Sequence, residues 1–239
     1  MPHVHASSAL VGMALLSSVT IACNAAYAPP IRSGQDGAPG RLHQGDLEAT
    51  GTVNAYLTGG PDVSYAVSDL VGVEGGAEIS PVWAMGFAGS RFTYQARAKD
   101  DEGNLGKGFA LDGGGGIGAG KGGSKGLTTY AGGGYLLGGV AYYFPYIAFY
   151  ARTRVEQSFA AGLPPTMWWS TTGGAQFWVG PFALFAETGG AGYSNDTVRQ
   201  NRDTHVEGWL PVQGGIALHV DVAPKAKSPA STPTVIGMR

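Results

Sequence analysis

The stretch 147–159 alternates between apolar and charged residues. Its odd-numbered positions are mainly apolar, as at Phe149 and Val155, and its charges all lie on even-numbered positions: Arg152, Arg154 and Glu156. Successive side chains of a β-strand point to opposite faces, so a strand here has one apolar face and one charged face. A helix would distribute the same charges around its circumference. The stretch therefore predicts a strand that separates an apolar environment from a polar one.

Composition favours many close-packed strands over a soluble helical enzyme. Charged residues make up 13% of the chain, about half the usual share, and 41 of the 239 residues are glycine. An aromatic content of 10% argues against a disordered chain. The net charge of −2 gives no electrostatic basis for binding nucleic acid, so we expect no nucleic-acid partner.

The alternating pattern recurs along the chain, separated by turn residues. It predicts strands at 46–58, 70–80, 82–95, 109–120, 127–143, 147–159, 167–179, 182–193 and 209–222. The stretch 63–67 is either a short tenth strand or part of a loop. The predicted fold is all-β, a single antiparallel up-and-down β-barrel of about 8–10 strands over 46–222.

Two polar stretches, 96–107 and 194–208, have no strand periodicity and are predicted to be solvated loops. An odd number of predicted strands separates them, which places one at each end of the barrel.

The two termini have their own patterns. Residues 1–22 contain an apolar run that is too short to span a bilayer and fits a signal peptide, so we expect an exported protein. The only cysteine, Cys23, follows small residues as in the bacterial lipobox and is a lipidation candidate; the alternative is ordinary signal cleavage that leaves it discarded or idle. Residues 23–45 predict a flexible linker, and 223–239 a disordered Pro/Ser/Thr-rich tail.

Charged residues on the polar faces of the strands are predicted to point into the barrel. Lipid offers no hydrogen bonds, so a sheet in a membrane must close, and only its interior can hold charges. Carboxylates outnumber arginines there, so arginine–carboxylate pairing is available. The predicted lumenal network comprises Glu48, Glu74, Glu78, Asp112, Arg152, Arg154, Glu156, His219 and Asp221.

Over 46–222 this pattern resembles small bacterial outer-membrane β-barrel proteins of about eight to ten strands. The resemblance implies a non-enzymatic envelope protein of the outer membrane or cell surface, with a structural or surface-interaction role. Its expected partners are outer-membrane lipid and, through Cys23, an N-terminal lipid anchor; the pattern identifies no partner protein.

Two other functions fit parts of the pattern. One is a soluble periplasmic or surface-anchored barrel that binds a small apolar ligand, in which the apolar face would point inward. The other is an outer-membrane lipid-modifying enzyme, which requires His219 to meet a serine and a carboxylate.

Motifs for other chemistry are incomplete. Residues 115–121 fit GxxxxGK, but Gly122 replaces the required Ser or Thr and no helix is predicted to follow. His43 and His205 have no metal-ligand spacing. Glu74 and Glu78 are four residues apart. On a strand this spacing is about 13 Å, which is too far for two carboxylates that act directly as an acid–base pair. We therefore predict no catalytic, cofactor-binding or metal-binding residue, and no cofactor.

Overall fold

The structure, a computed structural model, describes residues 27–32, 37–40, 43–54, 57–99, 105–122, 129–195 and 212–221. The predicted signal peptide 1–22, the lipidation candidate Cys23 and the predicted tail 223–239 lie outside the described residues.

Ten antiparallel strands form a closed barrel, which confirms the predicted fold class. Each strand pairs with its neighbours in sequence, and β1 pairs with β10 to close the ring. The strands are β1 Asp46–Asn54, β2 Gly59–Ala66, β3 Val71–Ile79, β4 Trp83–Lys99, β5 Leu105–Gly122, β6 Thr129–Tyr143, β7 Ile147–Ala160, β8 Leu163–Val179, β9 Phe182–Asn195 and β10 Val212–Asp221.

Strand β2 is the tenth strand that the sequence left undecided. Its first residues, expected to form a turn, instead pair with β1. The ladder with β3 pairs Gly59 with Ile79 and next pairs Asp62 with Gly76. Pro61 lies in this interval, and because proline has no N–H it cannot donate to a ladder.

The predicted loop 96–107 is wrong in extent. Strand β4 continues to Lys99 and β5 begins at Leu105, so the connection is 100–104. Residues with turn chemistry are included in these strands because each strand is paired along its length with a long neighbour. In the same way, β8 begins at Leu163, four residues before the predicted start at 167. We call the end of the barrel where β1 begins the entry end, and the opposite end the far end. The connection 100–104 is at the entry end, and the longer connection 196–211 is at the far end.

The two faces of the barrel differ sharply in polarity. Along β7, Arg152, Arg154 and Glu156 are almost completely buried in the lumen, and the intervening Ala151, Thr153 and Val155 are exposed on the outer surface. Many large apolar side chains elsewhere face outward, among them Val73, Phe92, Leu111, Ile117, Leu136, Leu184 and Ile216. Met85, Phe87 and Phe185 are exceptions and are buried inside the barrel.

Aromatic side chains form a group on the outer surface at the entry end. Phe109 contacts Tyr142 edge-to-face, and Phe144 packs against both Tyr142 and Phe149. Phe177 and Phe182 are exposed near the same end. Trp83 and Trp168, in contrast, are buried and pack inside the barrel.

Candidate functional site: the occupied lumen

A stretch of chain that precedes β1 fills the lumen. We call residues 27–32 and 37–40 the lumenal segment. Tyr27, Ile31 and Pro39 have less than 2% of their surface exposed. The sequence predicted a flexible linker over 23–45. The described residues of the lumenal segment are instead buried inside the barrel. Proline and small residues suit a narrow interior because proline has no N–H that needs a partner there.

The lumenal segment runs from the far end towards the entry end. Its first residues contact Thr166, close to the start of β8 at the far end. Its last residues contact Tyr143, the final residue of β6 at the entry end, whose hydroxyl donates to the Pro39 carbonyl at 2.5 Å. The chain then enters β1 at Asp46.

The far-end contacts hold the backbone of Ala28 on both sides. Its N–H donates to Thr166 Oγ1 at 3.1 Å. Its carbonyl accepts from Trp168 Nε1 at 3.0 Å and from Ser158 Oγ at 3.2 Å. The neighbouring Tyr27 ring meets the Trp168 ring edge-to-face, with centroids 5.2 Å apart.

In the middle of the lumen, the segment lies between two acidic groups of the wall. Glu156 on β7 accepts from the N–H groups of Ile31 at 2.8 Å and Arg32 at 3.3 Å, and it pairs with Arg154 at 2.6 Å. The Arg32 side chain extends towards β2 and β3, where it pairs with Asp62 and with Glu74. Arg32 therefore joins opposite sides of the barrel.

Glu74 is the centre of the ion-pair network. It accepts from Arg32 at 3.0 Å and from the Tyr135 hydroxyl at 2.7 Å, and it pairs with Arg91. From Arg91 the network continues to Asp112 at 3.8 Å, and from there to Arg152 at 3.0 Å.

Arg152 and Gln176 hold the segment near the entry end. Arg152 Nε donates to the Gly37 carbonyl at 2.5 Å. The Ala38 N–H donates to Gln176 Oε1 at 2.6 Å. Wall side chains thus satisfy the segment's backbone groups at three depths.

The structure brings together most, though not all, of the predicted network. Glu74, Asp112 and Arg152 belong to one chain of ion pairs, and Arg154 and Glu156 form a pair on β7. His219 and Glu48 form a separate group near the entry end, where His219 Nε2 is 3.0 Å from Asp46 and Nδ1 is 3.9 Å from Glu48. Glu78 is buried in the wall. The backbone of Asp221 lies opposite that of Asp46 in the β1–β10 ladder.

Five charged residues of the described lumen are missing from the predicted network: Arg32, Asp46, Asp62, Arg91 and Glu187. Asp46 and Arg91 lie within predicted strands, at 46–58 and 82–95. Arg32 belongs to the predicted linker and Asp62 to the predicted turn, so neither had a strand position. Glu187 is buried on β9, where Gln213 and Thr172 donate to it. The alternation of Ala183, Phe185 and Glu187 on one face was a signal that could have found it.

Inward-facing glycines make room for what the lumen contains. A Cβ on Gly118 of β5 would lie 2.5 Å from Ile31 Cγ2 and 2.7 Å from the Gly86 carbonyl. Cβ atoms on Gly89 and Gly116 would lie 2.5 and 2.6 Å from the Tyr135 hydroxyl. The Gly-rich strands therefore serve close packing inside the barrel and not a phosphate loop.

Gly118→Ala is expected to lower the free energy of unfolding by about 1–3 kcal/mol, the usual cost of overpacking. The added methyl group has no space between Ile31 and the β4 backbone. Gly113→Ala on the same strand is the matched control, because its Cβ would meet only the Leu137 carbonyl, at 3.8 Å. Urea unfolding of the folded barrel in detergent measures both, and equal effects would contradict the tight fit.

Metal binding and helical membrane spans concern the described part of the chain. It contains no group of three or more His, Cys, Asp or Glu residues placed to hold a metal ion. The described residues also include no helix long and apolar enough to cross a membrane. His219 lies between two carboxylates, those of Asp46 and Glu48.

A closed barrel with an apolar outer surface and a charged interior defines the class: the fold is that of a transmembrane-type β-barrel. No protein-family model and no curated protein matches the chain.

Two solved structures are similar in fold. One is a barrel from the de novo design of transmembrane β-barrels, 18% identical, covering 75% of this chain and 98% of that one, with a TM-score of 0.29. The other is the N-terminal β-barrel domain of Pseudomonas aeruginosa OprF, 10% identical, covering 75% of this chain and 100% of that one, with a TM-score of 0.35.

Proposed function

We propose that the protein is a non-enzymatic β-barrel of the bacterial outer membrane with a structural or surface-interaction role. Its outer surface contacts membrane lipid. The far end, which carries the longest connection, 196–211, faces the outside of the cell, because outer-membrane barrels have short periplasmic turns and longer extracellular loops.

The polarity of the two faces carries this proposal. In a water-soluble protein, ionised side chains are on the surface and large apolar ones are buried. In this barrel Arg152 and Glu156 are buried in the lumen, and Ile117 and Leu136 are among its most exposed side chains. Lipid around the barrel stabilises that arrangement, because the hydrocarbon covers the apolar surface and the lumen keeps the charges paired.

The soluble ligand-binding alternative needs the opposite arrangement. A lipocalin-like barrel has an apolar interior with room for its ligand. The middle of this lumen is lined by ion pairs around Glu74 and Glu156 and holds the lumenal segment. The structure therefore favours the membrane-spanning function over an apolar binding site.

Fractionation of the protein expressed in a Gram-negative host tests the proposal. We expect the folded chain in the outer-membrane fraction, released only by detergent, with a mobility shift on SDS gels between unheated and boiled samples. The Cys23→Ala variant is the control, because it removes a lipid anchor without touching the described barrel. A barrel that spans the membrane keeps this variant in the same fraction.

Two outcomes would count against the proposal. One is recovery of the protein in the soluble fraction without a mobility shift. The other is that Cys23→Ala alone releases the protein from the membrane, which would mean that an anchor held a soluble barrel. Labelling with a palmitate analogue, compared between the two chains, shows separately whether Cys23 is lipidated.

A further inference from the structure

We propose that the barrel wall forms a pathway for small cations, and that the lumenal segment closes it. This inference rests on the proposed function, because conduction requires a barrel that spans a membrane. It goes further by assigning the lumen an activity that depends on one segment of the chain.

The lumenal segment is separable from the barrel. The ring of ten strands closes without it, since β1 pairs directly with β10. Its contacts with the wall are made by side chains and do not belong to the ladders. They include hydrogen bonds that its backbone N–H groups donate to Thr166 and Gln176, packing of Tyr27 and Ile31, and the ion pairs of Arg32. Withdrawing the segment leaves the strand ladders intact.

Withdrawal would open a passage of useful width. One extended chain occupies a cross-section of about 5 by 10 Å, taken from the spacing of strands within a sheet and between stacked sheets. The segment reaches from Ala28 near the far end to Pro39 near the entry end, so the vacated passage would cross most of the barrel. That width admits a small, partly hydrated ion.

The charge of the wall selects for cations. Among the described lumenal residues, the guanidinium groups of the wall are Arg91, Arg152 and Arg154, and each already pairs with a carboxylate. The wall carboxylates outnumber them; they are Asp46, Glu48, Asp62, Glu74, Glu78, Asp112, Glu156 and Glu187. An excess of fixed negative charge inside a narrow pore attracts cations and excludes anions.

Arg32 is the residue that holds the lumenal segment in the closed position. Its guanidinium pairs with Asp62 and Glu74 and lies over the Phe87 ring, 4.4 Å from the centroid. It thus occupies the acidic surface that a permeating cation would use. A second set of contacts, from Ser158 and Thr166 to Ala28, holds the segment at the far end.

Single-channel recording from the purified full-length chain in planar lipid bilayers tests the inference. We expect the unmodified protein to be mostly closed. Arg32→Gln is expected to raise the open probability at least about tenfold, because it removes hydrogen bonds between charged groups. The reversal potential in a KCl gradient should show that the openings favour K⁺ over Cl⁻.

Lys121→Gln is the matched control. It removes the same charge from an exposed residue on the outer surface, where the ammonium lies over the Tyr130 ring. We expect it to behave as the unmodified protein. The double variant Ser158→Ala/Thr166→Val loosens the far-end contacts without changing any charge, and it is expected to open the barrel as Arg32→Gln does.

The outcomes separate this inference from the proposed function. Insertion into vesicles and the heat-induced mobility shift show whether each variant is a folded membrane barrel; if the unmodified chain fails both, both proposals fail. If the chain inserts, folded variants that stay as closed as the unmodified protein, or openings that favour Cl⁻, overturn the cation pathway alone. Should Arg32→Gln not fold, the double variant decides.

Discussion

Leu136→Arg is expected to lower the free energy of unfolding by about 2–4 kcal/mol in lipid. Leu136 is the central residue of β6, Thr129–Tyr143, and its side chain is 70% exposed on the outer surface. In water an arginine at such an exposed position would change stability little. At the middle of a bilayer the guanidinium loses its hydration, which is the source of the cost. Equilibrium urea unfolding of the barrel reconstituted in lipid vesicles measures the difference.

Val179→Arg is the control for that experiment. Val179 is equally exposed, at 72%, but it is the last residue of β8 and lies at the entry end. An arginine near the membrane interface costs only about 0–1 kcal/mol. If both variants had the same small effect, the outer surface would not lie in hydrocarbon and the membrane-spanning function would be wrong.

The strands could be predicted because their pattern is local. Alternation along β7 depends only on which side chain points to which face, so the charged face containing Arg152 and Glu156 was assigned correctly to the interior. The same reasoning placed His219 and Glu48 on the polar faces of their strands. It did not predict that the two side chains meet, which follows from the pairing of β10 with β1.

Partners across the lumen could not be predicted in the same way. Alternation assigns a residue to a face but not to a depth along the barrel, which depends on the register of every strand pair. Thus Arg152 meets Asp112, whereas Arg154 meets Glu156 on its own strand. Nothing in the sequence distinguished these two arginines.

Strand β2 and the lumenal segment were misread for a related reason. Gly-Gly-Pro-Asp at 59–62 has turn chemistry, yet pairing with β1 and β3 overrides that preference. Pro, Gly and Ala in the lumenal segment are typical of a flexible linker. Small residues of the same kind, Ala38 and Gly40, also fit beside Ala110 inside a narrow barrel. Composition alone does not separate these two environments.

Glu74→Gln is expected to lower the free energy of unfolding by about 3–5 kcal/mol, because it leaves buried guanidinium groups without their shared carboxylate. Arg32 and Arg91 both pair with Glu74, and the Tyr135 hydroxyl donates to it. Arg32 keeps Asp62, and Arg91 keeps Asp112 at 3.8 Å, so the lower part of that range is the expected result. Urea unfolding in vesicles measures the loss.

Glu48→Gln is the matched control, since it neutralises a lumenal glutamate whose contact with His219 is 3.9 Å long and partly exposed. Its expected cost is below about 1 kcal/mol. A Glu74→Gln effect no larger than that of Glu48→Gln would show that the network around Glu74 does not hold the lumen together. In that case the Arg32–Glu74 pair would contribute little, and the lumenal segment would depend on its contacts at the two ends of the barrel. A large difference would instead mean that the charges which stabilise the barrel are also those that keep the lumenal segment in place.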